Sequence, residues 1–345
     1  DLHQLHRRQR QMCISDRCLT LVVIMLGAYT RLADAGLGCP DWPGCYGQLF
    51  VPQTEAEVTK ANALFPERAV EQGKAWLEMI HRYFAGTLGL VILMMAIMAV
   101  RAERVDPTIP VLLCILVLGQ AALGMWTVTL KLMPVIVMLH LLGGFTLLAL
   151  QAIFYCQLQT RHSVYFSPSS KNVRTFSLLA FGVVLMQVLL GGWTSSNYAA
   201  LMCTALPICE GNWTSYLSWK EAFSFWQTGV DNYEFGVLDY PARMTIHVSH
   251  RIGAIVTAFV VLAYCILLLK QDSHHSQRLG VWIGLALVCQ ILLGVSNVVF
   301  QLPIYVAVAH NLGAAIMLTL ICVSQFYLWQ GKARWSHQAK GVRYE

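Results

Sequence analysis

Eight segments of the sequence are long and apolar enough to cross a lipid bilayer, and they constrain the fold more than any other feature. A spanning helix needs about 20 mainly apolar residues to cross a hydrocarbon core about 30 Å thick. Of the 345 residues, 57% are apolar and only 12% are charged. The segments are Leu19–Ala33, Met79–Val100, Ile109–Leu130, Pro134–Tyr155, Phe176–Thr194, Thr245–Leu269, Gly280–Phe300 and Pro303–Leu328. The sequence therefore predicts an all-α integral membrane protein with eight transmembrane helices, and it excludes a disordered, fibrous or ordinary soluble chain.

The first segment is the shortest and allows a second interpretation. Arginines precede its apolar run, which ends in Ala33-Asp34-Ala35, as in a signal peptide with its cleavage site. A related segment later in the chain, where cleavage is not an option, favours a retained helix.

Lysine and arginine residues indicate how the helices are oriented. Most of the 24 lie in the two tails and in the loops after the second, fourth and sixth segments, and short basic loops stay cytoplasmic. We therefore expect a bacterial inner-membrane protein with cytoplasmic tails 1–18 and 329–345, a cytoplasmic linker 156–175, and long outer loops 34–78 and 195–244. Topology alone explains the basic inner face, so the net charge of +6 does not indicate a nucleic-acid partner.

The chain repeats itself, with three motifs recurring in the same order. These motifs are Gln120-Ala-Ala-Leu-Gly124 and Gln290-Ile-Leu-Leu-Gly294, His81-Arg82 and His250-Arg251, and Cys39 with Cys45 and Cys203 with Cys209. A fainter copy of the first motif lies at Gln187–Gly191, and Leu26-Gly27 carries its last two residues. The pattern predicts two tandemly duplicated four-helix bundles, 19–155 and 176–328.

Four histidines lie inside predicted spans at duplicated positions: His81, His140, His250 and His310. Ionisable groups inside a membrane are costly and are functional candidates by default. Two imidazoles on facing helices suit the two axial positions of a heme iron. A single histidine is more simply a hydrogen-bonded core residue, but four at duplicated positions favour iron ligation.

The outer loops each contain a pair of cysteines. Five residues separate Cys39 from Cys45 and Cys203 from Cys209, a longer spacing than structural zinc sites use. The outer face of a bacterial membrane is oxidising, which favours a disulfide in each loop. A small structural staple and a redox-active pair are both compatible with this spacing.

One acidic residue breaks the duplication. Glu78 precedes His81 by three residues, so both share a helix face, whereas His247 stands at the corresponding place before His250. If both halves bind heme, the half with the carboxylate can perform chemistry while the other carries electrons. A helix-capping or interfacial role for Glu78 is the alternative.

Two arginines directly follow the first histidine of each pair. Arg82 and Arg251 can neutralise heme propionates, or they can anchor their helices at the membrane interface. The sequence favours neither role over the other.

Taken together, these motifs resemble the heme A synthase family from about Cys18 to Leu328. The resemblance rests on Glu78-x-x-His81, the four histidines in duplicated halves, the paired cysteines and Gly36-x-Gly-Cys-Pro-Asp-Trp-Pro-x-Cys45. It implies oxidation of the C8 methyl group of heme O to the formyl group of heme A, with water supplying the oxygen. The chain departs from the family pattern in starting at Asp1 without a methionine, which fits a truncated or altered start.

The resemblance also implies residue roles. His81 and His140 would ligate the substrate heme O, with Glu78 stabilising or deprotonating an intermediate. His250 and His310 would hold a permanent heme b.

For the cysteines, the resemblance implies electron handling by Cys39 and Cys45 and a structural role for Cys203 and Cys209. A heme O synthase would be the natural partner that supplies substrate, self-association into a homo-oligomer is compatible with the sequence, and the electron acceptor is unassigned.

Two other classes of protein use similar features. A bis-histidine cytochrome b that transfers electrons explains the histidines but gives Glu78 and the outer cysteines no purpose. A heme-transfer or assembly protein needs the heme sites but makes no product.

Overall fold

The computed structural model describes residues 2–101, 106–160, 170–227 and 229–341, and within these ranges it contains helices and no β-strand. The helices are α1 (Leu2–Leu32), α2 (Glu55–Leu64), α3 (Gln72–Arg101), α4 (Thr108–Thr129), α5 (Pro134–Thr160), α6 (Lys171–Ser196), α7 (Trp219–Ala222), α8 (Tyr240–Leu269), α9 (His274–Val299) and α10 (Ile304–Gly341), with a short 3-10 helix at Trp213–Tyr216. Seven of the described helices, α3 to α6 and α8 to α10, are long and apolar enough to cross a membrane.

Several helices extend beyond the apolar segments that predicted them. Helix α1 begins at Leu2 instead of Leu19, and α10 continues to Gly341 instead of ending at Leu328. Membrane thickness limits the apolar part of a helix but not the helix itself, and the flanking arginines, lysines and glutamines are good helix formers. Helix α3 likewise begins at Gln72, so Glu78 and His81 lie on one continuous helix, as the sequence predicts.

The outer loops contain local structure that the apolar pattern did not indicate. Helix α2 starts with a capping box, in which Thr54 accepts a hydrogen bond from the Glu57 backbone and the Glu57 side chain accepts one from Thr54. Asp239 caps α8 by accepting from the Ala242 backbone, next to Pro241 in the first turn. The second of these caps fixes where the histidine-bearing helix α8 leaves its loop.

The long helices pack in two rings of four. In the first half, α1 and α4 each contact both α3 and α5, which therefore occupy opposite corners. In the second half, α6 and α9 each contact both α8 and α10 in the same way. Contacts of α10 with α1 and α5, and of α5 with α6, join the two rings.

The hairpins that close each ring share an unusual backbone. Lys131 and Leu132, between α4 and α5, have φ values of 45° and 64°, and Gln301 and Leu302, between α9 and α10, have 56° and 62°. Non-glycine residues rarely adopt this left-handed conformation, because it brings the side chain close to the backbone. Two consecutive residues of this kind at the same place in both halves are therefore improbable by chance.

The outer loops of the two halves are tied together. The Arg68 guanidinium donates two hydrogen bonds to Glu234, at 2.7 and 2.9 Å, and Arg31 donates to the Ser195 carbonyl oxygen at 2.7 Å. The Arg68 hydrogen bonds lower the pKa of Glu234 below its usual value of 4.5. Both loops therefore lie on the same face of the helix bundle.

This ion pair predicts a pH dependence of stability. Because the pKa of Glu234 is lowered by folding, its contribution is present above pH 4.5 and is lost as the pH falls further. We expect Glu234→Gln to lower the free energy of unfolding by about 1–3 kcal/mol at pH 7 and to remove part of the acid sensitivity. Thermal unfolding of the purified protein between pH 7 and pH 3.5 measures both effects, with exposed Glu67→Gln as the control. Equal acid sensitivity of the variant and the wild type would contradict this prediction.

Candidate active site

The first histidine pair lies across the centre of the first ring. His81 is on α3 and His140 is on α5, the helices at opposite corners, and their ring centroids are 6.4 Å apart. Two imidazoles on opposite sides of one metal ion, each bound through a nitrogen about 2 Å from it, bring their centroids to roughly 6 Å. The pair therefore fits the axial positions of a single heme iron.

The second pair occupies the equivalent position. His250 on α8 and His310 on α10 again come from helices at opposite corners of their ring. In both halves, the two histidines lie on helices at opposite corners of the ring.

Three of the four histidine rings contact the backbone of the neighbouring helix, at Val23, Gln120 or Gln290, and still have one nitrogen without a partner. The Nδ1 atoms of His81, His140 and His310 are buried and make no hydrogen bond. A buried polar atom without a partner is costly, so these rings fit a role that a bound group completes. The Nδ1 atom of His250 differs, because Gln187 Nε2 lies 3.0 Å from it.

A glycine on the preceding long helix lies against each ring. A Cβ atom added to Gly27 would lie 2.9 Å from His81, and one added to Gly191 would lie 3.2 Å from His250. A Cβ atom added to Gly124 would lie 3.4 Å from His140, and one added to Gly294 would lie 3.3 Å from His310. Close backbone approach at small residues is typical of membrane helix packing, and here it makes room for the imidazoles.

The Glu78 side chain is buried, 5% exposed, one turn before His81. Its Oε2 atom accepts a hydrogen bond from the Cys39 backbone at 2.9 Å, and its Oε1 atom lies 2.5 Å from Arg82 Nη2. The carboxylate is thus fixed in place between the histidine helix and the loop that carries the cysteines.

Both arginines that follow the first histidines hold the outer loops. Arg82 Nη1 donates to the carbonyl oxygens of Asp41 and Gly44, at 3.0 and 2.5 Å. Arg251 donates to Cys203 at 2.8 Å and also to Ala205 and Ile208. The sequence predicted propionate neutralisation or interfacial anchoring, and the structure adds a role as loop anchors.

His247 takes the place of Glu78 in the second half. It is 3% exposed, and its Nδ1 atom lies 2.9 Å from the Ala199 carbonyl oxygen, so Nδ1 donates. Arg251, one turn later, matches the position of Arg82. The second site therefore keeps the same layout without an acidic group.

The structure pairs Cys39 with Cys45 and Cys203 with Cys209 as disulfides, as the sequence predicts. Both cysteines of the first pair are fully buried. No group of three or more histidine, cysteine or acidic side chains able to hold a metal lies together in the part of the chain that the structure describes. Two-histidine sets suit heme, which supplies the remaining iron ligands itself.

Three glutamines near the histidines were missed as functional residues. Gln120, Gln187 and Gln290 served in the sequence only as markers of the repeat. In the structure, each amide lies against a glycine on a histidine-bearing helix. The recurrence of the same glutamine and glycine spacing was the available signal.

The fold and the paired histidines define a multi-pass membrane protein with two candidate heme sites. A family model described as COX15-CtaA, cytochrome oxidase assembly protein, matches residues 11–322. The chain belongs to this family.

Similar proteins span nearly the same length. The chain is 51% identical to a heme A synthase of Shewanella oneidensis over 312 residues, covering 90% of this chain and 93% of that protein. It is 26% identical to heme A synthases of Granulibacter bethesdensis, covering 92% and 86% of the two chains, and Rickettsia bellii, covering 88% and 94%.

Proposed function

We propose that this protein is a heme A synthase, which oxidises the C8 methyl group of heme O to a formyl group with water as the source of oxygen. The observation that carries this proposal is the buried Glu78 carboxylate beside the first histidine pair, together with its replacement by His247 in the second half. A cytochrome or a heme carrier has no use for this asymmetry.

The first half is the substrate site in this proposal. His81 and His140 ligate the iron of heme O, and their separation of 6.4 Å between ring centroids supports that assignment. His250 and His310 hold heme b, which supplies one-electron chemistry when bound. The two sites thus divide the work between methyl oxidation and electron transfer.

Glu78 acts on the charge that develops beside the porphyrin ring. Removing electrons from a methyl group attached to the ring leaves positive charge there, and a carboxylate in a low-dielectric site stabilises it strongly. The bonds from Cys39 and Arg82 hold the carboxylate in one orientation, so it does not reorganise during the reaction. Glu78 is also placed to accept a proton that the substrate releases.

Arg82 and Arg251 are proposed to neutralise heme propionates while they anchor the outer loops. Each guanidinium carries five N–H donors, so contacts with loop carbonyl groups leave donors for an anionic group. The Nε atom of Arg251 is buried and makes no hydrogen bond, which supports this dual role. Cys39 and Cys45, next to Glu78, take part in electron handling, and Cys203 and Cys209 are structural.

We propose eight transmembrane helices arranged as two duplicated four-helix bundles in a bacterial inner membrane. Helix α1 is the eighth span, because it closes the first ring against α3 and α5 and places Gly27 against His81. The tails, 1–18 and 329–345, and the linker 156–175 face the cytoplasm, and the disulfide loops face outward. A heme O synthase in the same membrane supplies the substrate.

Heme extraction tests the proposed function. Cells that make heme O and express this chain are expected to contain a formyl heme, identified by its mass and by the absorption of its pyridine complex. Cells with the heme O source but without this chain are the control. If the chain binds heme while the extracted heme O stays unconverted, the electron-transfer and heme-carrier classes replace this proposal.

A further inference from the structure

Glutamine side chains reach across from the neighbouring helix to the histidine helices. Gln290 Nε2 donates to the His310 carbonyl oxygen at 3.1 Å, and Gln187 Nε2 donates to the His250 carbonyl oxygen at 3.0 Å. These oxygens belong to the residues whose rings point into the candidate heme site. Each amide therefore fixes the helix at the residue that carries the imidazole.

A glycine three residues after His140, His250 and His310 makes room for the amide. A Cβ atom on Gly313 would lie 1.9 Å from Gln290 Nε2, and one on Gly253 would lie 2.4 Å from Gln187 Oε1. In the first half, a Cβ atom on Gly143 would lie 1.8 Å from Gln120 Nε2, so the same packing follows His140. A larger residue at these positions would push the amide away.

His81 is the exception among the four. The position equivalent to these glutamines is Val23, four residues before Gly27, and the position three residues after His81 is Phe84. The backbone of Val23 still lies against the His81 ring, so the two helices keep their register. The valine side chain has no donor, and phenylalanine, here 41% exposed, stands at the sequence position where the other helices have glycine. His81 thus packs against a glycine, Gly27, as the other histidines do, but no glutamine amide holds its helix.

We infer that Gln120, Gln187 and Gln290 are positioning residues that hold His140, His250 and His310 as iron ligands, and that His81 is the ligand left free to exchange. The inference rests on the proposed function, because it concerns the same heme sites. Groups that orient a metal ligand typically change metal affinity by about 10–100-fold. A resident heme is retained best when both ligands are held in place. A substrate heme must enter and its product must leave, and one weakly held ligand permits this exchange.

Heme release from the purified, heme-loaded protein tests the second half. Gln290→Met removes the donor with little change in volume, and we expect heme b to transfer to apomyoglobin about 10-fold faster or more. The low-spin electron paramagnetic resonance signal should also shift, because it reports the orientation of the imidazole planes. Gln187→Met repeats the test on the other ligand if Gln290→Met does not accumulate.

Gln325→Met is the matched control. Gln325 also lies on α10 and donates to the Ser177 carbonyl oxygen at 3.0 Å, away from the histidines. A loss of packing or of a membrane hydrogen bond in general would affect this variant equally. We expect its release rate and resonance signal to match the wild type.

The reciprocal experiment adds a glutamine amide beside the His81 helix. The background for this test is a chain carrying His310→Ala, in which heme b added as a probe is held by the first pair. In that background, adding Val23→Gln and Phe84→Gly is expected to slow heme release about 10-fold relative to His310→Ala alone. A release rate that is not slowed would overturn the exchangeable role of His81.

The outcomes separate this inference from the proposed function. If Gln290→Met and Gln187→Met both release heme like Gln325→Met while His310→Ala loses the low-spin spectrum, the positioning role is wrong and the ligand assignment stands. If His310→Ala keeps the full low-spin spectrum, the heme assignment in the proposed function itself is wrong.

Discussion

Replacing Glu78 with glutamine is expected to lower heme A formation by about 100–1000-fold, the usual cost of removing one preorganised electrostatic group from an active site. The amide keeps an oxygen that accepts the Cys39 backbone hydrogen bond, and Arg82 keeps its contacts with the loop carbonyl groups. Heme content and the low-spin spectrum should therefore stay at the wild-type level. Product yield per bound heme, measured in membranes supplied with heme O, gives the effect.

The control for this experiment is Glu71→Gln, which makes the same chemical change nearby. Glu71 is exposed and pairs with Lys74 at 2.9 Å, just before the start of α3 and ten residues before His81. It should convert heme O like the wild type. Unimpaired conversion by the Glu78→Gln variant would contradict the role given to this carboxylate.

Replacing His250 or His310 with alanine is expected to remove the low-spin heme b spectrum of the second half. In the proposed arrangement each heme would be held by two histidines, so one alanine would remove half of the protein's hold on the iron and weaken retention of the heme. Reduced-minus-oxidised spectra and the heme content of the purified variants measure the loss.

His247→Gln is the matched control, because it changes a buried histidine on the same helix that does not belong to the pair. Its amide can still donate to the Ala199 carbonyl oxygen, so the loop contact survives. We expect it to keep heme b. A His250→Ala protein with an intact low-spin spectrum would contradict the ligand assignment, as would the loss of heme b in His247→Gln alone.

The histidine pairs were predictable because they depend on local pattern. A run of about 20 apolar residues defines a span whatever its neighbours are, and a motif repeated in order defines equivalent positions. Glu78 was recognisable for the same reason, since a helix continued by one turn places it beside His81.

The arginines were only half predictable. Their place beside His81 and His250 is visible in the sequence, but their partners are carbonyl groups of loop residues such as Asp41 and Cys203. Backbone carbonyl groups are present at every position and leave no mark in the sequence. Which of them converge on one guanidinium depends on how the loop folds over the helix ends.

The sequence by itself determined that this is a helical membrane protein, and it predicted two related halves and named four histidines, one carboxylate and two cysteine pairs as candidate functional groups. The tertiary structure alone decided that α3 and α5 lie at opposite corners of a ring, that Glu78 is held between Arg82 and Cys39, and that a glutamine packs against three of the four histidine helices. The physical reason is the distance along the chain over which each interaction acts. Burial in lipid acts on each segment separately, whereas these contacts join residues distant in the chain and form only when the helices pack.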